Sequence, residues 1–208
     1  MQLRLAAAAF FAIMLYAGAA GAEDPKAFKL TIDGVTVDID PGEDMDVKLP
    51  SGKTSKVRLE HNDFATFSGG TFSFVHPSNY SVTKTDLGDG IAQYLMAWAL
   101  GTLVVVQKYD KMNPVSLNQL MLQEMTRETV QAGGQLTQQP MTRKLADGKE
   151  LTGLKATVKT RTDRADFEIV GFGTADQGVL FITRIGDQDN ATEQPLIDKF
   201  WETLKVKL

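Results

Sequence analysis

The apolar residues of this chain alternate with polar residues over most of its length, a pattern that favours β-strands over helices. In residues 28–39 the alternation continues on both sides of an Asp33-Gly34 pair. An Asp-Gly pair suits a type I′ turn because both of its residues accept positive φ, so this segment is predicted to form a hairpin. The alternation continues beyond it, and residues 28–61 are expected to form a small β-meander.

The rest of the chain contains further strand patterns with turn residues between them. One of them is an almost continuous apolar run, broken at Leu100-Gly101, that is expected to form a core hairpin. The predicted strands are 72–77, 91–98, 102–109, 153–162, 166–174 and 179–185, and residues 86–90 are predicted to be a loop.

Two segments have helical spacing instead. Ser116 is predicted to cap the first helix, with Gln119 completing a capping box, and Gly133-Gly134 is predicted to end it. The second helix is expected over residues 192–204. The apolar stripe of the first helix consists of Leu117, Leu120, Met121 and Met125. The apolar stripe of the second helix consists of Leu196, Ile197, Phe200, Trp201 and Leu204.

Thr192 is predicted to cap the second helix, and Pro195 is placed in its first turn, where a missing N–H is harmless. The order of elements shows no strand–helix–strand alternation. We therefore expect an α+β fold, in which helices flank an antiparallel β-sheet.

Residues 1–22 have the three parts of a secretory signal peptide. Arg4 supplies the early positive charge, Leu5–Ala20 is apolar, and small residues end the segment at Ala22. A membrane anchor is the weaker interpretation, because a spanning helix needs about 20 strongly apolar residues and this run is rich in alanine and contains Gly18. We expect cleavage near Ala22 and a periplasmic or secreted protein.

Charge and cysteine content exclude several functions. The chain has 22 Lys and Arg against 26 Asp and Glu, and loss of residues 1–22 would remove only Arg4. A net negative charge gives no general attraction to nucleic acid or anionic lipid. The absence of cysteine excludes disulfides, thiol catalysis, thiolate metal sites and a cysteine-linked lipid anchor. We therefore expect a protein without a stable membrane anchor.

Residues 72–208 resemble the PsbP-like α/β/α sandwich superfamily. The resemblance rests on FSFVHPSNYSV, the apolar hairpin, the Ser116 helix, FEIVGFGTADQGVLFITRI and PLIDKFWETLKV. It implies a non-catalytic accessory role, since members include extrinsic photosystem II subunits, a partner of a nuclear GTPase, and bacterial envelope proteins. Some bacterial relatives act as chaperones for membrane segments of secreted effectors. Many envelope members are lipoproteins, from which this chain departs because it lacks cysteine, and the resemblance transfers no site residues.

The sequence patterns and the resemblance together predict three parts of the chain: a signal peptide at 1–22, an N-terminal β-meander at 23–66, and a PsbP-like sandwich domain at 67–208. The N-terminal meander lies outside the resemblance.

Catalytic motifs are weak. Ser81 and Lys84 match S-x-x-K, but neither companion motif of penicillin-interacting enzymes occurs. His61 and His76 lie fifteen residues apart without a zincin pattern, so structural roles are expected for both. The sequence therefore predicts no catalytic residue, no cofactor and no metal site.

Two acidic segments have oxygen ligands of the kind that Ca²⁺ prefers. Residues 33–46 contain six carboxylates and no basic residue, and residues 187–190 contain two more carboxylates. The spacing is not that of an EF-hand, so solvated acidic surface is the favoured interpretation. Met96, Met121 and Met125 are expected in the core, with an adaptable apolar groove as the alternative.

Lys155, Lys159 and Arg161 alternate along the predicted strand 153–162 and point away from its apolar residues. We call these three residues the basic strip. It is a candidate surface for an acidic partner or an anionic headgroup, and an ordinary exposed sheet face is the alternative.

These patterns together predict an exported, soluble, non-catalytic binding or accessory protein of the bacterial envelope. Its expected partner is another envelope protein or an apolar peptide segment. The alternatives are an envelope hydrolase with an unrecognised site, and a protein that associates with a lipid surface through the basic strip.

Overall fold

The computed structural model describes residues 25–187 and 190–208, so the predicted signal peptide lies outside the described residues. The chain divides into two compact units, one ending at Glu60 and one extending from His61 to Leu208. The first unit contains four strands, β1 (Phe28–Ile32), β2 (Val35–Ile39), β3 (Asp44–Lys48) and β4 (Thr54–Arg58).

The first unit consists of two hairpins. β1 pairs with β2 and β3 pairs with β4, both antiparallel, and the predicted Asp33-Gly34 turn has φ values of 48° and 83°. Among the described residues no ladder joins β2 to β3, so the predicted continuous meander is wrong in that detail. The reason is the link between them: Pro41 has no N–H to donate, and the N–H of Gly42 donates to the carbonyl of Leu59 at 2.7 Å.

The second unit is built on antiparallel sheet. Its strands are β5 (Phe64–Ser68), β6 (Phe72–Pro77), β7 (Thr83–Gly88), β8 (Ile91–Ala97), β9 (Leu103–Tyr109), β10 (Gln135–Lys144), β11 (Glu150–Lys159), β12 (Arg164–Gly173), β13 (Gly178–Gly186) and β14 (Lys205–Val206). Seven strands form one sheet in the order β10-β11-β12-β13-β9-β8-β7, and β14-β6-β5 form a smaller one. Every neighbouring pair is antiparallel, as the sequence predicts.

The two edge strands of the larger sheet escape sequence analysis. All six residues of β7 are exposed, so β7 has no buried face to produce alternation, and the predicted loop at 86–90 begins inside this strand. β10 is mostly polar and contains Pro140, which argues against a strand unless the strand lies at an edge.

Helix α1 (Asn118–Gln131) follows a 3₁₀ turn at Pro114–Leu117. Asn113 caps that turn, because its side-chain oxygen accepts from the N–H of Val115 at 3.1 Å, and Ser116 lies inside the turn rather than at the cap. The helix ends before Gly133-Gly134, as predicted.

The buried face of α1 also differs from the predicted stripe. Leu122 is completely buried, whereas Leu120 is 50% exposed. Residues two positions apart on an α-helix point in directions roughly 200° apart, so the two leucines cannot share a face. The other predicted members, Leu117, Met121 and Met125, are partly buried against the same cluster as Leu122.

Helix α2 (Asn190–Thr203) begins two residues before Thr192, so Thr192 lies in its first turn and is not the cap. Pro195 consequently falls in the second turn. The predicted apolar stripe is confirmed. Leu196 is partly buried, and the other four members are buried: Ile197, Phe200, Trp201 and Leu204.

One helix covers each face of the larger sheet. Neighbouring residues of β12 point to opposite faces, and Ile169 packs in the cluster of Leu122 while Val170 packs in the cluster of Phe200. β6 and β14 join the α2 side through residues such as Phe74. The structure is therefore α+β, with antiparallel sheet and two helices in the part described.

Within the described residues, every helix is too short or too polar to cross a lipid bilayer.

Candidate functional site

The basic strip lies at the end of β11 and in the turn that follows it. Lys155 and Lys159 share one face of β11, and both are exposed. The strand ends at Lys159, so Arg161 does not continue the alternation and instead lies exposed in the turn to β12. That turn is held by Thr160, whose N–H donates to the carbonyl of Asp163 at 2.8 Å and whose hydroxyl oxygen accepts from the N–H of Asp163 at 3.0 Å.

Carboxylates from β12 face part of the strip. The register places Glu168 opposite Lys155, and the Nζ–Oε1 distance is 4.0 Å. Asp166 lies two pairs along, opposite Thr157, where it accepts from the Thr157 hydroxyl and pairs with Arg164 at 3.0 Å. The strip is therefore partly neutralised at its Lys155 end.

The other end of the strip is not neutralised in this way. Among residues 25–187 and 190–208, no ion pair involves Lys159 or Arg161. Several basic residues nearby in sequence do have partners, for example Lys149 with Asp147 at 2.8 Å. The two cations that remain lie together at one end of the larger sheet.

This end of the sheet also contains Asp187, the described carboxylate of the second acidic segment. Lys159, the residues of the turn at 160–164, and Asp187 line a depression of about 280 Å³. Asp189, the other carboxylate of that segment, lies outside the described residues. Cations lining the same depression oppose the binding of a metal cation electrostatically.

A second depression, of about 370 Å³, lies where α2 meets β10. The Arg143 guanidinium stacks over the Trp201 ring at 4.4 Å from its centroid and pairs with Glu168. Arg143 Nε and Trp201 Nε1 are buried without a hydrogen-bond partner among the described residues. This cluster joins residues far apart in sequence, so no local pattern could have identified it.

The first acidic segment is paired with basic residues that lie outside it. Lys26 donates to Glu43 at 3.0 Å and lies 3.3 Å from Asp40. The hydrogen bond from Lys26 lowers the pKa of Glu43, and the backbone N–H of Ala27 lowers the pKa of Asp40. Lys29 pairs with Asp38 on the adjacent strand in the same way.

No group of three or more Asp, Glu or His side chains is arranged to hold a metal ion in the part of the chain that the structure describes. What the structure does show at the first acidic segment is ion pairing, since Lys26 and Lys29 lie beside three of its carboxylates, those of Asp38, Asp40 and Glu43.

The two histidines occupy different settings. His76 is 9% exposed, contacts the ring of Phe74, and shares a hydrogen bond of 2.9 Å between its Nδ1 and the carbonyl of Pro77. His61 is exposed and lines an open depression of about 430 Å³ together with Asp63 and Ser78. Because residue types for a serine hydrolase meet there, the setting of Ser78 decides what this depression can do.

The Ser78 hydroxyl donates to the backbone carbonyl of Asn62, and its N–H donates to the carbonyl of Asp63 at 3.0 Å. A serine nucleophile must instead donate its proton to a general base. In this arrangement Ser78 has a structural role, because its hydrogen bonds join the segment after β6 to the segment before β5.

The methionines do not form one groove. Met96 is 2% exposed and packs on the α2 side of the sheet, whereas Met121 and Met125 are partly buried on the α1 side. Their assignment to the core is thus confirmed for Met96 and partly for the other two.

Comparisons with solved structures show a likeness of architecture. No family model matches the sequence, and no curated protein matches it. Among solved structures, the chain is similar to the solution structure of cyanobacterial PsbP (CyanoP) from Synechocystis sp. PCC 6803, at 12% identity and a TM-score of 0.47. The likeness covers 69% of this chain and 92% of that chain. A likeness at this level concerns general architecture and carries no information on function.

Proposed function

We propose that this chain is an exported, non-catalytic accessory protein of the bacterial envelope, and that its basic strip binds an acidic segment of another envelope protein. The observation that carries the proposal is the pair of exposed cations, Lys159 and Arg161, with no ion pair in the described part of the chain. They stand on a protein whose overall charge is negative. Such a local reversal of sign attracts an acidic partner and orients it during encounter.

The strip is suited to recognition by charge because its backbone is fixed. Lys155 and Lys159 project from a strand paired on both sides, and Thr160 holds the turn that carries Arg161. Exposed charges of this kind affect the association rate and its salt dependence more than the final affinity. We therefore expect a complex that weakens as ionic strength rises.

Crosslinking in intact cells tests the proposal. A photo-reactive amino acid replaces Thr162, which is exposed in the turn of the strip. We expect one predominant protein adduct, and we expect it to disappear when the three strip residues are changed to glutamate. The matched control changes three other exposed lysines to glutamate and should retain the adduct: Lys111, Lys144 and Lys205.

An adduct that survives the strip substitutions would contradict the role of the strip. It would instead favour the alternative partner, an apolar peptide segment, for which exposed apolar side chains such as Leu87 and Leu100 offer contacts. Failure to obtain any adduct would count against the accessory role itself.

The lipid-surface alternative uses the same cations and has a separate test. Vesicles of phosphatidylglycerol and of phosphatidylcholine are pelleted with the purified chain. Binding to the anionic vesicles that is lost after the three substitutions to glutamate would replace the protein partner with a membrane surface.

The hydrolase alternative depends on the depression lined by His61, Asp63 and Ser78. Because the Ser78 hydroxyl donates to a backbone carbonyl, we expect no labelling of the chain by a fluorophosphonate probe. Labelling that disappears in Ser78→Ala would establish an activated serine and overturn the non-catalytic proposal.

Export is tested directly by the mass of the mature protein. We propose that residues 1–22 are removed, so the chain recovered from the periplasm should begin at Glu23. A mass that includes the first 22 residues would contradict cleavage and favour retention of this segment.

We further propose that residues 72–208 belong to the PsbP-like superfamily. Support comes from the arrangement of one helix on each face of an antiparallel sheet, with α2 closing the fold against β6. A profile built from homologues of this chain should match that superfamily through both helices, and a match confined to one helix would argue against membership.

A further inference from the structure

The two edges of the seven-stranded sheet differ in their ability to pair with another strand. Edge strand β10 contains Pro140 near its middle, and proline offers no N–H to a further strand. Edge strand β7 has no proline, and all six of its residues are exposed. β7 therefore leaves backbone donors and acceptors available along its outer side.

The sequence of β7 limits which strands it accepts. Lys84 and Asp86 lie on the same face of the strand, two positions apart, on either side of Thr85. Neither side chain has an ion pair among the described residues, although Lys84 lies 5.9 Å from the Tyr94 ring centroid and Asp86 accepts from the N–H of Gly88. Charges on an edge discourage pairing with an arbitrary strand.

A second copy of β7 satisfies both charges. In an antiparallel pair of two β7 strands centred on Thr85, Lys84 of each copy lies directly opposite Asp86 of the other. Opposite charges that face each other across strands stabilise the pair, and like charges destabilise it. A two-fold axis through Thr85 makes the contact self-complementary, as an isologous interface requires.

We propose that two copies of this chain associate through β7, so that their seven-stranded sheets form one continuous antiparallel sheet. The register shift between Asp86 and Gly88 ends regular pairing at the end of the strand, which confines the contact to about five residues. A contact of that length is smaller than a standard interface, so the dimer is a weak one.

The proposal is independent of the basic strip. β11, which carries Lys155 and Lys159, lies beside the opposite edge of the sheet, with β12, β13, β9 and β8 between it and β7. A dimer through β7 leaves the strip open, so the two proposals fail or succeed separately.

Charge exchange provides the experiment, with sedimentation equilibrium of the purified chain over a wide concentration range as the measurement. Lys84→Asp places aspartate opposite aspartate, and Asp86→Lys places lysine opposite lysine. Each single variant should weaken dimerisation about tenfold to a hundredfold. The double variant should dimerise like the original chain, because the opposite charges are restored in exchanged positions.

Mixing the two single variants gives the sharpest result. In a mixed dimer both aspartates of one chain face both lysines of the other, so the mixture should associate more strongly than either variant does alone. This rescue also shows that both variants are folded. The control Lys144→Asp, on the opposite edge strand, should leave dimerisation unchanged.

Three results would overturn the proposal: a chain that remains monomeric at the highest concentration, a dimer that neither single variant weakens, or a mixture that fails to associate. Loss of association in the double variant as well as in the single variants would also contradict the register centred on Thr85, because in that register the exchanged charges still face each other.

Discussion

The two leucines of α1, Leu122 and Leu120, give the most direct test of the structure. The helical spacing of the sequence places Leu120 in the apolar stripe, whereas the structure buries Leu122 completely and leaves Leu120 50% exposed. Replacing each leucine in turn by alanine removes the same atoms from the same helix. Any difference in stability therefore reports which residue faces the core.

The expected magnitudes follow from burial. Leu122→Ala removes a fully buried side chain and leaves a cavity, which typically costs about 2.7–5 kcal/mol. Leu120→Ala loses only part of that burial, leaves no closed cavity, and gains slightly in helix propensity, so a cost of roughly 0.5–1 kcal/mol is expected. For a chain of this size, the first change should lower the Tm by roughly 6–15 °C.

Urea unfolding followed by tryptophan fluorescence is the appropriate assay. Both tryptophans, Trp98 and Trp201, are 5% exposed and lie in the unit from His61 to Leu208, so the signal reports unfolding of that unit. Equal losses of unfolding free energy for the two variants, or a larger loss for Leu120→Ala, would refute the assigned helix face.

Four further substitutions test other contacts. Asn113→Ala removes the cap of the turn before α1 and should cost about 1 kcal/mol of unfolding free energy, whereas Ser116→Ala should be nearly neutral in the same urea titration. Gly153→Ala places a Cβ against the backbone of β12 and should destabilise the sheet by about 1–3 kcal/mol or more, measured as a lower Tm. Lys26→Met removes the hydrogen bond that lowers the pKa of Glu43, so NMR titration should show that pKa rising toward its ordinary value. Since a lowered pKa contributes stability above the unfolded-state pKa and loses it as the pH falls through the folded-state value, this variant should also lose less stability on acidification.

The elements that the sequence predicts correctly are those whose conformation is decided by local chemistry. The Asp33-Gly34 turn forms as predicted because its φ values are set by the two residues themselves. The stripe of α2 is predicted correctly because every position in it is apolar, so that any placement of the helix against the sheet buries the same face. The core hairpin of β8 and β9 is equally clear from its apolar run.

The elements that the sequence does not predict are those whose conformation is decided by a neighbouring element. β7 and β10 become strands because β8 and β11 offer them backbone partners, and their own side chains do not alternate between buried and exposed faces. Ser116 is a good capping residue by type, but the chain has already turned at Asn113. Arg161 is part of the basic strip by spacing alone, and the end of β11 places it in a turn.

In the basic strip, too, some properties follow from the sequence and others only from the tertiary structure. The amino acid sequence by itself determines the sign of the strip, since three cations within seven residues stand out on a chain of net charge −4. Only the tertiary structure decides which of them remain available. The register of β12 brings Glu168 to Lys155, and no comparable partner reaches Lys159 or Arg161 among the described residues. Charge is a property of each residue, whereas neutralisation depends on which strands lie side by side, and that is fixed only when the sheet has formed.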